Sequence, residues 1–190
     1  MKTFIISLKI FLFFTILTGV VYPLFITGLA QVIFPGKSNG SLIKNGRKTI
    51  GSELIGQQFS SGIYFTSRPS SINYSTLPSG GSNYGLTNLK FKELVYNRQK
   101  QFVTANKLDS LTNIPSEMLF ASASGLDPHI SKEAVLLQVD RIVEVRKFNT
   151  VQKQKLVKSI NDLTEKPQFL VLGNEKINVL VLNLELDKID

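Results

Sequence analysis

From Ile10 to Phe34 the chain carries no charged residue, whereas beyond that stretch its apolar positions come in short, interrupted groups. At about 1.5 Å per residue the uncharged run is longer than the roughly 30 Å of a bilayer's hydrocarbon layer, which predicts one transmembrane helix. Pro23 kinks such a helix near its middle, while Gly19 and Gly28 leave room for a neighbouring membrane helix to approach. Thr15, Thr18 and Thr27 are available to satisfy backbone groups that the kink frees. A cleaved secretory signal ending at Gly28-Leu29-Ala30 is the alternative reading. The run far exceeds the 7–15 residues of a signal core, so a retained anchor is expected.

After the anchor, 36–46 is turn-rich, and Thr49 to Phe59 reads as a strand pair or a bulged strand. Residues 60–88 are rich in Ser, Gly, Asn and Pro with single aromatics, too long for an ordinary connection and too aromatic to be loose. Leu89 to Ala105 then turns helical behind an Asn88 cap, with Leu89, Phe91, Leu94, Val95, Phe102 and Val103 on one stripe. A second helix, capped by Ser131, runs to about Lys147 with Val135, Leu136, Val139, Ile142 and Val143 inward. A third starts at Thr150, holds Leu156, Val157, Ile160 and Leu163, and is stopped by Pro167. The tail carries two β-like runs, 168–172 and 177–186, the second apolar on both faces as in a covered strand. The expected fold is α+β: a tail (1–9), one transmembrane helix (10–34) and one mixed soluble domain (35–190).

Composition narrows the chemistry. The 190 residues include no Cys and one His, which excludes disulfide scaffolds, thiolate metal sites and cysteine nucleophiles, and disfavours imidazole-based metal sites. The balance is basic, 22 Lys+Arg against 14 Asp+Glu. Lys2 and Lys9 precede the span and Lys37, Lys44, Arg47 and Lys48 follow it, so charge leaves the orientation undecided for a translocatable domain. Gly36-Lys37-Ser38 imitates the end of a phosphate loop, but Gln31 stands where its first glycine belongs. Ser124, Asp127 and His129 invite a triad, yet Asp127-Pro128-His129 before Ser131 reads more simply as a turn into a capped helix. The bases Arg141, Arg146, Lys147, Lys153, Lys155 and Lys158 are compatible with a DNA-binding helix pair, and equally with a solvated face or one over acidic lipid. Ser79-Gly80-Gly81-Ser82-Asn83 could cradle an anion with consecutive amides, or be a plain turn.

Several of these stretches together resemble the KdpC family, the C subunit of the Kdp-type potassium-transporting P-type ATPase. They are 18–24 (TGVVYPL), Gln31, Phe34-Pro35, 40–42, Gly51-Ser52, 54–57 (LIGQ), Phe59, Tyr64-Phe65, Arg68-Pro69-Ser70, 79–83, Asn88, 121–131 (ASASGLDPHIS), Gln138, Arg141 and 179–187. The resemblance implies an accessory subunit that does not hydrolyse ATP, needed for assembly of a high-affinity potassium uptake complex in the bacterial inner membrane. It implies three companions: a channel-like potassium-translocating subunit, an ATP-hydrolysing P-type subunit and a small membrane peptide. It further implies a catalytic chaperone that raises the hydrolysing subunit's ATP affinity through a ternary complex, with a soluble domain on the outer, periplasmic face. On that reading Gly19, Tyr22, Pro23 and Gly28 pack the membrane helix. Ser79, Gly80, Gly81, Ser82, Asn83, Ser122, Ser124, Gly125 and Asp127 touch nucleotide or a partner. No metal, no cofactor of its own and no nucleic acid are expected.

Overall fold

A computed structural model describes residues 1–169 and 171–189. It divides into two compact units, Met1–Ser52 and Glu53–Asp190. In the first, helix begins almost at the N-terminus and runs through α1 (Lys2–Ile16), a π-helical turn (Leu17–Val21) and α2 (Tyr22–Ile33). Lys2–Ile33 is long and apolar enough to cross a membrane, and none of it is buried within the protein.

The π turn explains how proline is accommodated. In a regular α-helix the Pro23 ring would press on the carbonyl of Gly19. Widening the turn just before it, so that the Tyr22 amide donates to the Leu17 carbonyl, absorbs the misfit. The threonine hydroxyls do not serve the kink: Thr15, Thr18 and Thr27 donate to the carbonyls of Phe11, Phe14 and Pro23, each one turn back. Beyond a short helical turn, α3 (Pro35–Ser38), come strands β1 (Leu42–Asn45) and β2 (Lys48–Ser52), paired antiparallel with an irregularity at Ile43/Lys44. The expected strand region is therefore shifted toward the N-terminus. Part of the supposed turn (36–46) is strand, and nothing after Ser52 in the 49–59 stretch is.

The second unit is built on α4 (Leu89–Asn106), α5 (Lys132–Leu136), α6 (Val139–Arg146), α7 (Thr150–Leu163) and α8 (Val179–Leu186). A two-residue ladder joins β3 (His129–Ile130) to β4 (Ile177–Asn178). The expected caps form: Asn88 accepts from the Phe91 amide and Ser131 from the Ala134 amide. Asn149 and Gln152 make a reciprocal capping box that starts α7.

The structure departs from several expectations. The helix expected over 131–147 breaks at Gln138, where the amide bonds back three residues to Val135 and the side chain is released for another use. The 177–186 run is not a long strand. It pairs for two residues, then Asn178 caps Val181 and the rest coils into α8, whose all-round apolar surface suits a buried helix as well as a covered strand. The face of α4 expected inward is only half used: Phe102 is buried, but Leu89 is 78% exposed. Likewise Leu136, expected inward, is 45% exposed. Of the 168–172 run, Gln168 and Leu172 form a bridge, and Leu170 lies outside the described residues.

The core gathers Phe65, Ile130, Val135, Ile142, Leu156, Ile160, Ile177, Leu182 and Leu186. Phe65 belongs to no helix or strand, so its presence at the centre requires its backbone to be satisfied by other means. Asn183 on α8 does this: its side-chain oxygen accepts from the Phe65 amide at 2.8 Å and its amide donates to the Phe65 carbonyl at 2.9 Å. Gln138, fully buried, accepts from both the amide and the hydroxyl of Thr66. The Arg141 guanidinium donates to the carbonyls of Gly62 and Tyr64, and Arg146 to that of Ile63. Four polar side chains on α8, α6 and the α5–α6 break thus act as the missing strand neighbour for residues 62–66.

Candidate functional site

Pinning 62–66 fixes the entry to the Ser/Gly-rich segment, which then folds back on itself. The Ser71 hydroxyl donates to the Gly80 carbonyl at 2.6 Å, and the Gly80 amide donates to the Ser124 carbonyl at 3.2 Å. The two segments singled out in the sequence, 79–83 and 122–127, are therefore neighbours. A methyl group on Gly81 would come within 3.3 Å of the Ala123 carbonyl oxygen. On Gly125, whose φ is +71°, it would meet the Ile72 side chain at 2.7 Å. Only glycine meets both demands at Gly125. A third segment closes the cluster, where the Gly56 amide donates to the Leu126 carbonyl at 2.7 Å.

Asp127 is the hub. One carboxylate oxygen accepts from the Arg68 guanidinium at 2.6 Å, and the other accepts from the His129 backbone amide at 3.0 Å. The His129 ring lies between two acids, with Nδ1 3.5 Å from Asp127 and Nε2 3.6 Å from Glu165. Lys176 completes the row, 3.4 Å from Glu165. Burial raises the Asp127 pKa, but hydrogen bonds from His129 and the Arg68 charge and hydrogen bond outweigh it and hold the carboxyl at about 2. Arg68 is not fully satisfied: its Nε is buried with no hydrogen-bond partner among the described residues.

This geometry fits a rigid polar scaffold. The Ser124 hydroxyl oxygen accepts from the Leu126 amide, and Ser122 lies 3.5 Å from the Asp127 amide, so both serines brace their own loop. No hydrogen bond joins Ser124 to His129 among the described residues, as a nucleophile–base pair would require. No group of three or more His, Cys, Asp or Glu is placed to hold a metal ion among the described residues. Ser79, Ser82, Asn83 and Ser124 are exposed, so the loop pair offers a hydroxyl- and amide-rich face to solvent. Of the six bases weighed for DNA, Arg141 is buried, and Arg146 is drawn inward to Ile63 and to Asp187 at 2.6 Å. Lys153 pairs with Asp140. Half of the six are thus engaged within the protein, and Arg141 and Arg146 serve the fold. Arg68, Gln138, Arg141 and Asn183 all lie in the stretches that carry the family resemblance, but sequence reading gave none of them its structural role. For Gln138, Arg141 and Asn183 the local signal is a polar residue set in an otherwise apolar or helical stretch.

A long apolar N-terminal helix, a candidate for a single membrane span, followed by an α+β unit of clamped loops defines the class of fold. The chain belongs to the KdpC family: its residues 4–188 match the family model described as KdpC, K+-transporting ATPase, c chain. It is similar to the potassium-transporting ATPase KdpC subunit of Geotalea uraniireducens, 44% identical over 96% of each chain. The subunit of the same name from Caldanaerobacter subterraneus subsp. tengcongensis is 41% identical over 95% of this chain and 92% of its own. That of Clostridioides difficile is 37% identical over 100% and 98%.

Proposed function

We propose that this chain is an accessory subunit of an ATP-driven potassium uptake complex in the bacterial inner membrane, retained there by Lys2–Ile33 as a single-pass anchor. The family match along nearly the whole chain is the observation that carries this reading. The companions are the channel-like potassium-translocating subunit, the ATP-hydrolysing P-type subunit and the small membrane peptide. Gly19 and Gly28, with Tyr22 and Pro23, pack the membrane helix against a companion, the glycines' missing side chains letting a neighbouring helix approach closely. The chain itself hydrolyses nothing, and potassium is coordinated by a companion.

Within this role, the chain acts as a catalytic chaperone that raises the ATP affinity of the hydrolysing subunit. The loop pair of Ser79–Asn83 with Ser122, Ser124, Gly125 and Asp127 is the contact surface for nucleotide or partner. A second reading, a docking subunit with no nucleotide contact, is favoured by one detail. The Gly80 amide, central to any anion cradle there, is already given to Ser124. The two readings also differ in place, because cytoplasmic ATP cannot reach a head on the outer face. A reporter active only in the periplasm, fused after Asp190, distinguishes them: activity supports the outer-face docking subunit and removes direct nucleotide contact. Deleting the subunit abolishes growth at low external potassium. Undiminished growth would overturn the assignment as a whole.

A further inference from the structure

A separate cleft of about 500 Å³ opens between the 58–74 segment and the C-terminal half of α4. It includes none of the residues of the loop pair. The size is that of sites for small organic molecules. Its floor is apolar, with Phe102 and Met118 at 8% and 4% exposure. Its charged lining is two arginines, Arg98 and Arg141, and no carboxylate.

Arg141 is committed elsewhere, to Asn106, Gln138 and the carbonyls of Gly62 and Tyr64. Arg98 is not. It makes one hydrogen bond, to the Leu119 carbonyl at 2.9 Å, and has no ion pair among the described residues. Burial lowers its pKa, the mark of a cation held away from water without a counter-charge. Tyr74 beside it supplies none, because burial raises the phenol's pKa and keeps it neutral. Ser70 also lines the cleft, and its oxygen accepts from the amides of Ile72 and Tyr74, which leaves its proton to donate. Gln101, three residues beyond Arg98 on the same helical face, adds an amide donor.

We propose that this cleft binds a small organic anion, its carboxylate or phosphate held by Arg98 with help from Ser70 and Gln101, its apolar body laid over Phe102 and Met118. A half-buried guanidinium is costly alone and gains from a charge-assisted, bidentate partner. The apolar floor contributes only if the anion carries carbon, so inorganic phosphate is the poorer ligand.

The test is calorimetric titration of the full chain in nanodiscs with phenyl phosphate, benzoate, inorganic phosphate and benzyl alcohol. Phenyl phosphate or benzoate binds saturably with Kd below about 1 mM, about tenfold or more tighter than both inorganic phosphate and benzyl alcohol. Whichever of the first two is tighter assigns the headgroup as phosphate or carboxylate. Arg98→Gln weakens the better ligand about tenfold or more, and Arg98→Lys restores part of the loss. Because Arg98 also holds Leu119, a second variant leaves that bond intact. Ala105→Phe, at an exposed position on the cleft wall, fills the space and abolishes binding with unchanged thermal unfolding. Absence of saturable binding to the parent protein, equal binding of benzyl alcohol or inorganic phosphate, or unaltered binding in both Arg98→Gln and Ala105→Phe would overturn the proposal.

Discussion

Replacing Asn183 by Leu isolates the device on which the second unit depends. The two side chains are close in size, and Asn183 is 2% exposed beside a fully buried Phe65, so the change removes hydrogen bonds without opening a large cavity. It leaves the Phe65 amide and carbonyl buried and unpaired. Each such orphan costs about 1–3 kcal/mol, and the extra apolar burial of Leu returns only part of that. The net loss is about 3 kcal/mol, or roughly 10 °C in the unfolding midpoint of a unit this size. The assay is thermal unfolding of the full chain in detergent, with amide hydrogen exchange read at Phe65. Exchange there should accelerate selectively, because opening 62–66 no longer breaks the clamp. A midpoint shift below about 3 °C, with Phe65 still protected, would show that Asn183 does not hold this segment.

Four further outcomes follow from particular contacts. Asp127→Asn removes a carboxylate whose folded pKa of about 2 lies below its ordinary 3.8, so its stabilisation is full above about pH 4 and is lost as pH falls toward 2. With solvent screening at a one-third-exposed group this amounts to about 1 kcal/mol, and urea midpoints of parent and variant should converge over that window. Gly125→Ala meets both a left-handed backbone and the Ile72 side chain, and should lower the urea midpoint by an amount equal to about 2 kcal/mol. Gly19→Leu or Gly28→Leu should reduce recovery of companion subunits on a tagged chain while leaving the thermal unfolding of the second unit unchanged. Gln138→Leu strips Thr66 and Arg141 of an acceptor and should destabilise by about 2–3 kcal/mol, measured by the same denaturation.

The long apolar N-terminal helix, the Asn88 and Ser131 caps and most of the inward positions of the later helices were legible because they depend on local composition or on neighbours three or four residues away. The helix at 179–186 was not, because a run that is apolar at nearly every position has no polar face to reveal its period. Nor was the shift of the hairpin, where Leu42–Asn45 is separated from β2 by the tight turn around Gly46 and Arg47 rather than lying within the later glycine-spaced stretch. The clamp on 62–66 was hidden for a different reason. Asn183 and Phe65 are 118 residues apart, and nothing local to either says that a side chain will stand in for a strand. The pairing of 79–83 with 122–127 is likewise long-range. The chemistry of each segment could be read from its residues, but their adjacency rests on the Gly80–Ser124 bond and on close approach at Gly81 and Gly125.

On the proposed function, an unprocessed, membrane-held chain works as part of a potassium-pumping assembly. The direct measurement is purification on a C-terminal tag from membranes of potassium-starved cells, with mass determination of the chain and assay of potassium-stimulated ATP hydrolysis. An intact N-terminal helix, companion subunits in the same peak and potassium-stimulated turnover are expected. A chain recovered alone in the soluble fraction, cut after Ala30 and without associated ATPase activity, would contradict it.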